Sequence, residues 1–89
     1  MKLNDKFLIH NTSTGDILVP VEEMTKSFHG VVKLNSTGSE IVHLLEKDDL
    51  SLEQVLEQFY SSYPEEDKEE IKNAVTAFIE KLRGINAIL

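Results

Sequence analysis

The sequence lacks cysteine and tryptophan and has only two prolines among its 89 residues. The absence of cysteine excludes disulfides, thiolate metal sites, iron–sulfur ligation and cysteine nucleophiles. Long hydrophobic runs are also missing, since the longest, from Ile17 to Val21, is far too short to span a bilayer. The first six residues lack the apolar segment of a signal peptide. These absences predict a soluble cytoplasmic protein that does not bind a membrane.

Positive charge is scarce between residues 40 and 70. The net charge is −7, and residues 40–70 hold eleven acidic residues against Lys47 and Lys68. This distribution disfavours nucleic acid as a partner, because phosphate binding depends on clustered lysine and arginine. Ordinary solubility explains an acidic surface adequately. A basic peptide or a basic patch on another protein is the partner class that such a surface would attract.

The first half predicts three strands, and the length and 40% hydrophobic content predict a single domain over residues 1–89. The strands are Phe7–His10, Ile17–Val21 and Phe28–Leu34, and the turn-forming run Asn11–Asp16 predicts a loop after the first.

Alternation along the third strand places Phe28, Val32 and Leu34 toward the core and His29, Val31 and Lys33 on the other face. Leu8, Leu18 and Val31 would then leave apolar groups on the outer face of the sheet. A homodimer formed through this face is therefore one alternative.

The period then changes from two to 3.6, which predicts three helices. Thr37 with Glu40 suggests a capping box for a first helix that ends near Lys47, and Ser51 with Gln54 suggests a second.

Pro64 fits the first turn of a third helix, whose apolar stripe runs from Ile71 to Leu82. Gly84 is a natural residue for its C-terminal turn, and the tail after it is predicted to pack on the core or add a short strand. The predicted class is α+β and winged-helix-like, with a three-stranded antiparallel sheet followed by a three-helix bundle.

Catalytic and metal-binding patterns are absent from the sequence. The three histidines, His10, His29 and His43, have no metal-ligand spacing. No phosphate-binding glycine loop, nucleophile signature or nucleotide fingerprint occurs. The paired carboxylates lie where solvated surfaces and helix starts explain them. The sequence therefore predicts a protein that is not an enzyme and that binds no cofactor or metal.

Two other functions deserve comparison. The sequence from Asp49 to Leu52 is similar to the Asp-Ser-Leu attachment site of acyl or peptidyl carrier proteins, although Leu50 separates Asp49 from Ser51. A helix N-cap is the better account of Ser51. A winged-helix regulator would present a basic third helix to DNA, whereas residues 65–83 carry six acidic residues against four basic ones.

The stretch from Val32 to Leu45 resembles the signature of the PqqD family, named for coenzyme PQQ synthesis protein D: hydrophobic-x-Leu-Asn-x-Thr-Gly-x-x-Ile-x-x-Leu-Leu. The later segments follow in register. Ser51 to Val55 is similar to the start of the family's second helix, Tyr63 to its closing aromatic residue, and Val75 to Leu82 to its third helix. Order and spacing together make the resemblance specific.

The resemblance implies a module that binds the leader of a ribosomally made precursor peptide and presents it to a tailoring enzyme. For the family that gave the name, this enzyme is a radical SAM protein. The peptide would add as a strand to the edge of the third strand, beside the third helix, which is consistent with the pairing groups that a free edge offers.

The residues predicted to contact the peptide are four from the third strand and three from the third helix: Val31, Val32, Lys33, Leu34, Lys72, Val75 and Ile79. Lys33 and Lys72 would attract acidic leader residues. Asn35, Thr37 and Gly38 carry the family signature, but strand end, helix cap and turn are their natural roles.

Overall fold

A computed structural model describes residues 1–21 and 31–89. Three antiparallel strands precede three helices, which confirms the α+β class. The elements are β1 Phe7–Thr12, β2 Gly15–Pro20, β3 Val32–Lys33, α1 Ser36–Lys47, α2 Leu52–Ser62 and α3 Lys68–Gly84.

The first two strands form a tight hairpin, so the predicted loop over Asn11–Asp16 is wrong. Asn11 pairs with Asp16 and Thr12 with Gly15, which leaves only a two-residue turn. Gly15 has a φ of 124°, a conformation that favours glycine. The Asn11 amide donates to Asp16 Oδ1 at 2.8 Å, and the Thr12 hydroxyl donates to the Gly15 carbonyl at 2.6 Å. These polar side chains bond across the ladder and thereby lengthen it.

The pairing register decides which side chains face the helices. Leu18 pairs with Ile9 on one side and with Val32 on the other, and directly opposed residues share a face. Leu18 is therefore an inner residue with no exposed surface, and its predicted outer position is wrong. Leu8 and Val31 do lie on the outer face, 58% and 47% exposed.

The third strand follows the predicted alternation as far as it is described. Val32 and Leu34 are buried, whereas Val31 and Lys33 are exposed. Phe28 and His29 lie outside the described residues. The strand order is β1-β2-β3, so β3 forms one edge of the sheet in the part of the chain that the structure describes.

The first helix begins earlier than Thr37, so the predicted Thr37–Glu40 capping box is wrong. Asn35 is the N-cap, and its side-chain oxygen accepts a hydrogen bond from the Gly38 amide at 2.8 Å. Gly38 lies inside the helix and not in a turn. A Cβ at this position would stand 2.9 Å from ring atoms of Phe78, so the glycine permits close packing of α1 on α3.

The second helix has the predicted capping box. The Ser51 hydroxyl accepts from the Gln54 amide at 3.2 Å, and the Gln54 side chain accepts from the Ser51 amide at 2.8 Å. Tyr63 is the C-cap, and its hydroxyl donates to Glu40 of α1. Its ring also stacks on Phe59, with ring centroids 6.0 Å apart. Tyr63 thus joins the end of α2 to α1.

The third helix begins at Lys68, so Pro64 is not in its first turn. The Asp67 carboxylate accepts from the amides of Glu69 and Glu70, at 2.8 and 3.2 Å, and this cap sets the start. The predicted terminal role of Gly84 is also wrong. Gly84 is the last helical residue, and Asn86, with a φ of 62°, takes the left-handed conformation.

The tail packs on the core and adds a strand-like bridge, as predicted. Ile88 pairs with Leu3, and both residues are buried together with Ala87. The core lies between the inner face of the sheet and the three helices. Its members with no exposed surface are Leu18, Ile41, Val42, Leu45, Val55, Val75, Leu82 and Ala87.

Candidate functional site

The hydrogen-bonding direction of each β3 residue follows from its pairing with β2. The Leu34 amide donates to the Asp16 carbonyl at 3.0 Å, so this is a hydrogen-bonded pair. Bonded and non-bonded pairs alternate in an antiparallel ladder. The next pair, Lys33 with Ile17, is therefore non-bonded, and the N–H and C=O of Lys33 point away from β2. Lys33 offers a donor and an acceptor at the edge of the sheet.

The other predicted strand residues are placed differently. Val32 pairs with Leu18 in the next bonded position, so its main chain is directed toward β2. The side chains of Val32 and Leu34 are buried, while those of Val31 and Lys33 are accessible. The structure brings the four residues together at one edge, but only Val31 and Lys33 present their side chains to solvent.

The predicted α3 residues do not share one accessible surface. Val75 and Ile79 are 0% and 2% exposed, so both belong to the core. Lys72 is exposed, but it lies one turn after Lys68, whose ammonium stands 5.4 Å from the ring centre of Tyr60 on α2. Lys72 therefore lies on the flank of α3 that is next to α2. Peptide contact by this set stays a prediction.

The opposite flank of α3 faces the start of α1. Phe78 contacts Gly38, and it lies about 120° around the helix from Lys72. Ile71 and Ala74 share the Phe78 flank, because they precede it by seven and four residues. Sequence reasoning assigned these three residues to the core stripe. The apolar stripe of α3 is wider than a single buried helix face requires. This width is the sequence signal that could have distinguished these three residues from the core residues.

A hollow of about 300 Å³ opens between the start of α1, the end of α2 and the first half of α3. Its lining combines apolar side chains, hydroxyl groups and two carboxylates: Ser36, Thr37, Phe59, Tyr63, Glu66, Glu70, Ile71, Ala74 and Val75.

The electrostatics of this hollow are negative. Glu66 and Glu70 are exposed, and neither carboxylate has an ion-pair partner among the described residues. The hydrogen bond from its hydroxyl to Glu40 raises the pKa of Tyr63, and burial and the charges of Glu40 and Glu66 act in the same direction. We name this space, lined by the nine residues above, the acidic hollow.

A separate polar cluster joins the hairpin to α1. Asp16 accepts hydrogen bonds from the Ser39 hydroxyl and from the Asn11 amide, and His43 Nε2 lies 3.0 Å from Asp16 Oδ2. These three contacts, led by the one from Ser39, lower the pKa of Asp16 to about 2. Asp16 is therefore ionised at neutral pH, where its charge is shared among three neighbours.

The order of groups in this cluster differs from that of a nucleophilic triad. In a triad, histidine lies between serine and aspartate and takes the serine proton. Here Asp16 lies between Ser39 and His43 and receives both contacts directly. The Ser39 hydroxyl donates to a carboxylate with a lowered pKa, which does not generate a nucleophile. The cluster serves to attach α1 to the sheet.

Other predicted features can be placed as well. The Ser51 hydroxyl is occupied as the N-cap of α2, which is the structural role predicted for it. In residues 1–21 and 31–89, no group of three or more metal-ligating side chains is arranged to hold an ion. None of the helices in these two segments is both long and apolar enough to cross a membrane.

Comparison with known proteins identifies the family. A three-stranded sheet with β3 at one edge among the described residues, followed by three helices, defines a small α+β module. The family model of PqqD, coenzyme PQQ synthesis protein D, matches residues 15–88. The chain belongs to the PqqD family. No curated protein and no solved structure matches it. Family membership supports a role in PQQ biosynthesis.

Proposed function

We propose that this protein is a non-catalytic peptide chaperone. It binds the leader segment of a ribosomally synthesised precursor peptide by β-strand addition and presents that peptide to a tailoring enzyme. The PqqD family suggests a precursor peptide and a pathway enzyme as partners, and the resemblance implies that the enzyme is of the radical SAM type. In this proposal the protein contributes no cofactor to the reaction.

The outward-directed main chain of Lys33 carries this proposal. An edge residue whose N–H and C=O have no partner within residues 1–21 and 31–89 is a template for one further strand. An extended peptide opposite Lys33 would satisfy both groups, while neighbouring side chains select among sequences. Val31 and Lys33 supply such side chains, one apolar and one basic. An acidic residue of the peptide placed beside Lys33 would add about 0–1 kcal/mol if the pair stays exposed.

The order of polar groups at Asp16 supports a non-catalytic role. The described side chains that most nearly compose a nucleophilic centre are Ser39, His43 and Asp16, and they are joined in the wrong order for it. Catalysis would then belong to the partner enzyme. Positioning of the substrate is the contribution that remains for the present chain.

The test replaces Lys33 by proline and uses a synthetic leader peptide, whose sequence is to be taken from a search of the neighbouring genes for a short precursor reading frame. Proline removes the outward N–H but is tolerated on an edge strand whose N–H faces solvent. We expect Lys33→Pro to keep the helical circular dichroism of the wild type and to lose peptide binding measured by calorimetry. Lys33→Ala is the matched control, because it removes the charge and keeps the amide.

Val32→Pro tests the pairing assignment. The Val32 amide is directed toward β2, so this change should destabilise the sheet itself and lower the unfolding midpoint. Peptide binding by Lys33→Pro with wild-type affinity would overturn strand addition at β3. Loss of binding in Lys33→Ala, equal to that in Lys33→Pro, would assign recognition to the side chain and contradict the main-chain mechanism.

A further inference from the structure

We infer that the acidic hollow receives one basic side chain, an arginine or a lysine, of the bound peptide. The inference deepens the proposed function, on which it rests for the identity of the occupant as a peptide. It names a chemical preference of the site: an anchor with an apolar stem and a positive head.

The floor of the acidic hollow fits an apolar stem. Phe59 and Val75 form its buried base, and Ile71 and Ala74 line its wall on α3. A cavity of about 150 Å³ is enough for benzene, so the volume of about 300 Å³ has room for one long side chain. Lysine and arginine cover apolar surface with their methylene groups while the charged head stays in water.

The rim fits a positive head. Glu66 and Glu70 line the opening, and in the described segments they have no cationic partner. Lys68, which lies between them in sequence, is instead directed at the ring of Tyr60. The start of α1 adds the partial positive charge of a helix N-terminus near Ser36, equivalent to about half a charge. Two full carboxylate charges exceed this term, so the opening attracts cations.

The acidic hollow also lies where the peptide would pass. Ser36 follows Lys33 by three residues, and Asn35 between them has an extended backbone. A peptide that pairs antiparallel with β3 reaches the hollow about 10 Å before the residue opposite Lys33. The basic anchor is therefore placed about three residues N-terminal to the paired residue. An acidic residue next to Lys33 would complete a basic-then-acidic order along the leader.

The test uses capped tripeptides, which are too short to depend on strand addition. The probes are acetyl-Val-Arg-Val-amide, the same peptide with citrulline, which is neutral and of the same shape, and the same peptide with glutamate. Each is titrated into the 15N-labelled full chain and followed through amide chemical shifts. We expect shifts at Thr37, Tyr63 and Ala74, with affinity for the citrulline peptide about threefold to tenfold weaker than for the arginine peptide.

The matched variants are Glu66→Gln with Glu70→Gln, and Glu69→Gln alone. The double variant should reduce arginine affinity to the citrulline level. Glu69 lies in the same turn of α3 but does not line the hollow, so its variant should keep the preference. Equal affinity for arginine and citrulline, shifts located elsewhere, an unaffected double variant, or no binding of any probe would each overturn the inference.

The two proposals fail separately. Lys33→Pro should bind the arginine tripeptide as the wild type does, because β3 pairing is not needed for it. Retained leader binding in Lys33→Pro, together with an arginine preference, would sink strand addition and leave the anchor site. Loss of leader binding without any arginine preference would sink the anchor site alone.

Discussion

Leu18 and Leu8 are both leucines and lie on neighbouring strands, yet Leu18 has no exposed surface and Leu8 is 58% exposed. On the inner face of the sheet, Leu18 packs in the core and Asp16 bonds to α1. On the outer face, Leu8 and Val31 keep apolar surface in solvent. The contrast teaches that side chains on the inner face stabilise the fold, whereas exposed side chains on the outer face and at the β3 edge contribute little to stability.

The largest effect is expected from Leu18→Ala. Removal of a fully buried leucine side chain costs transfer free energy and leaves a cavity, which together amount to about 2–5 kcal/mol. Leu8→Ala is the matched control on the outer face, with an expected change within about 0.5 kcal/mol. Urea denaturation of both variants measures the difference. Similar losses in the two variants would contradict the assignment of faces.

A smaller effect is expected from Gly38→Val, which disturbs the helices that cover the inner face. The added side chain meets the Phe78 ring, since even a Cβ would lie 2.9 Å from it. Overpacking of this kind costs about 1–3 kcal/mol. The second change Phe78→Leu should restore part of the loss in a double-mutant cycle. If the double variant shows no recovery, the ring contact is not the reason for glycine at this position.

The third prediction concerns pH and the Asp16 cluster. Because the folded-state pKa of Asp16 is lowered from 3.8 to about 2, its ionised form stabilises the fold above about pH 4, and this stabilisation is lost as pH falls toward 2. Asp16→Asn should be less stable than the wild type at neutral pH, and the two should converge in acid. Thermal unfolding between pH 2 and 7 measures this.

The control for this experiment is Asp5→Asn, since Asp5 is exposed and has no hydrogen-bond partner among the described residues. Its unfolding curve should track that of the wild type across the pH range. A constant difference between Asp16→Asn and the wild type from pH 7 to pH 2 would show that the Asp16 charge is not linked to folding.

The smallest effect on stability is expected from Leu8→Ser. An exposed outer residue contributes little to the core, so the free energy of unfolding should change by no more than about 0.5 kcal/mol. The informative measurement is the oligomeric state, for example by sedimentation. Should the wild type form a dimer through this face, the polar substitution is expected to weaken it. A marked loss of stability would instead place Leu8 in unrecognised packing.

Much of the fold followed from local patterns. The Ser51–Gln54 capping box and the alternation of Val32 and Leu34 depend on nearest neighbours along the chain, and both are confirmed. The face of Leu18 could not be predicted in this way, because it depends on a hairpin register that the two-residue turn sets. The helix cap was predicted at Thr37, whereas Asn35 holds that position, because α1 already begins at Ser36, two residues after Leu34.

The candidate site was predictable only in part. The family signature pointed to the third strand, but the direction of the Lys33 amide requires the pairing with β2. Lys72 follows the apolar stripe in sequence, yet helix geometry places it on the α2 flank. The acidic hollow brings together the start of α1, the end of α2 and the first half of α3. Residues so distant in sequence carry no local signal of their proximity.

The brevity of β3 limits how well a peptide could be aligned on it. A strand of two residues with one outward-facing member accepts a partner equally well after a slide of two positions, since the same donors and acceptors then meet again. The edge alone would thus bind an extended peptide without fixing its pairing register. A second anchoring point, at a fixed distance along the bound peptide, would select one register. The same peptide residue would then occupy the same position in every complex.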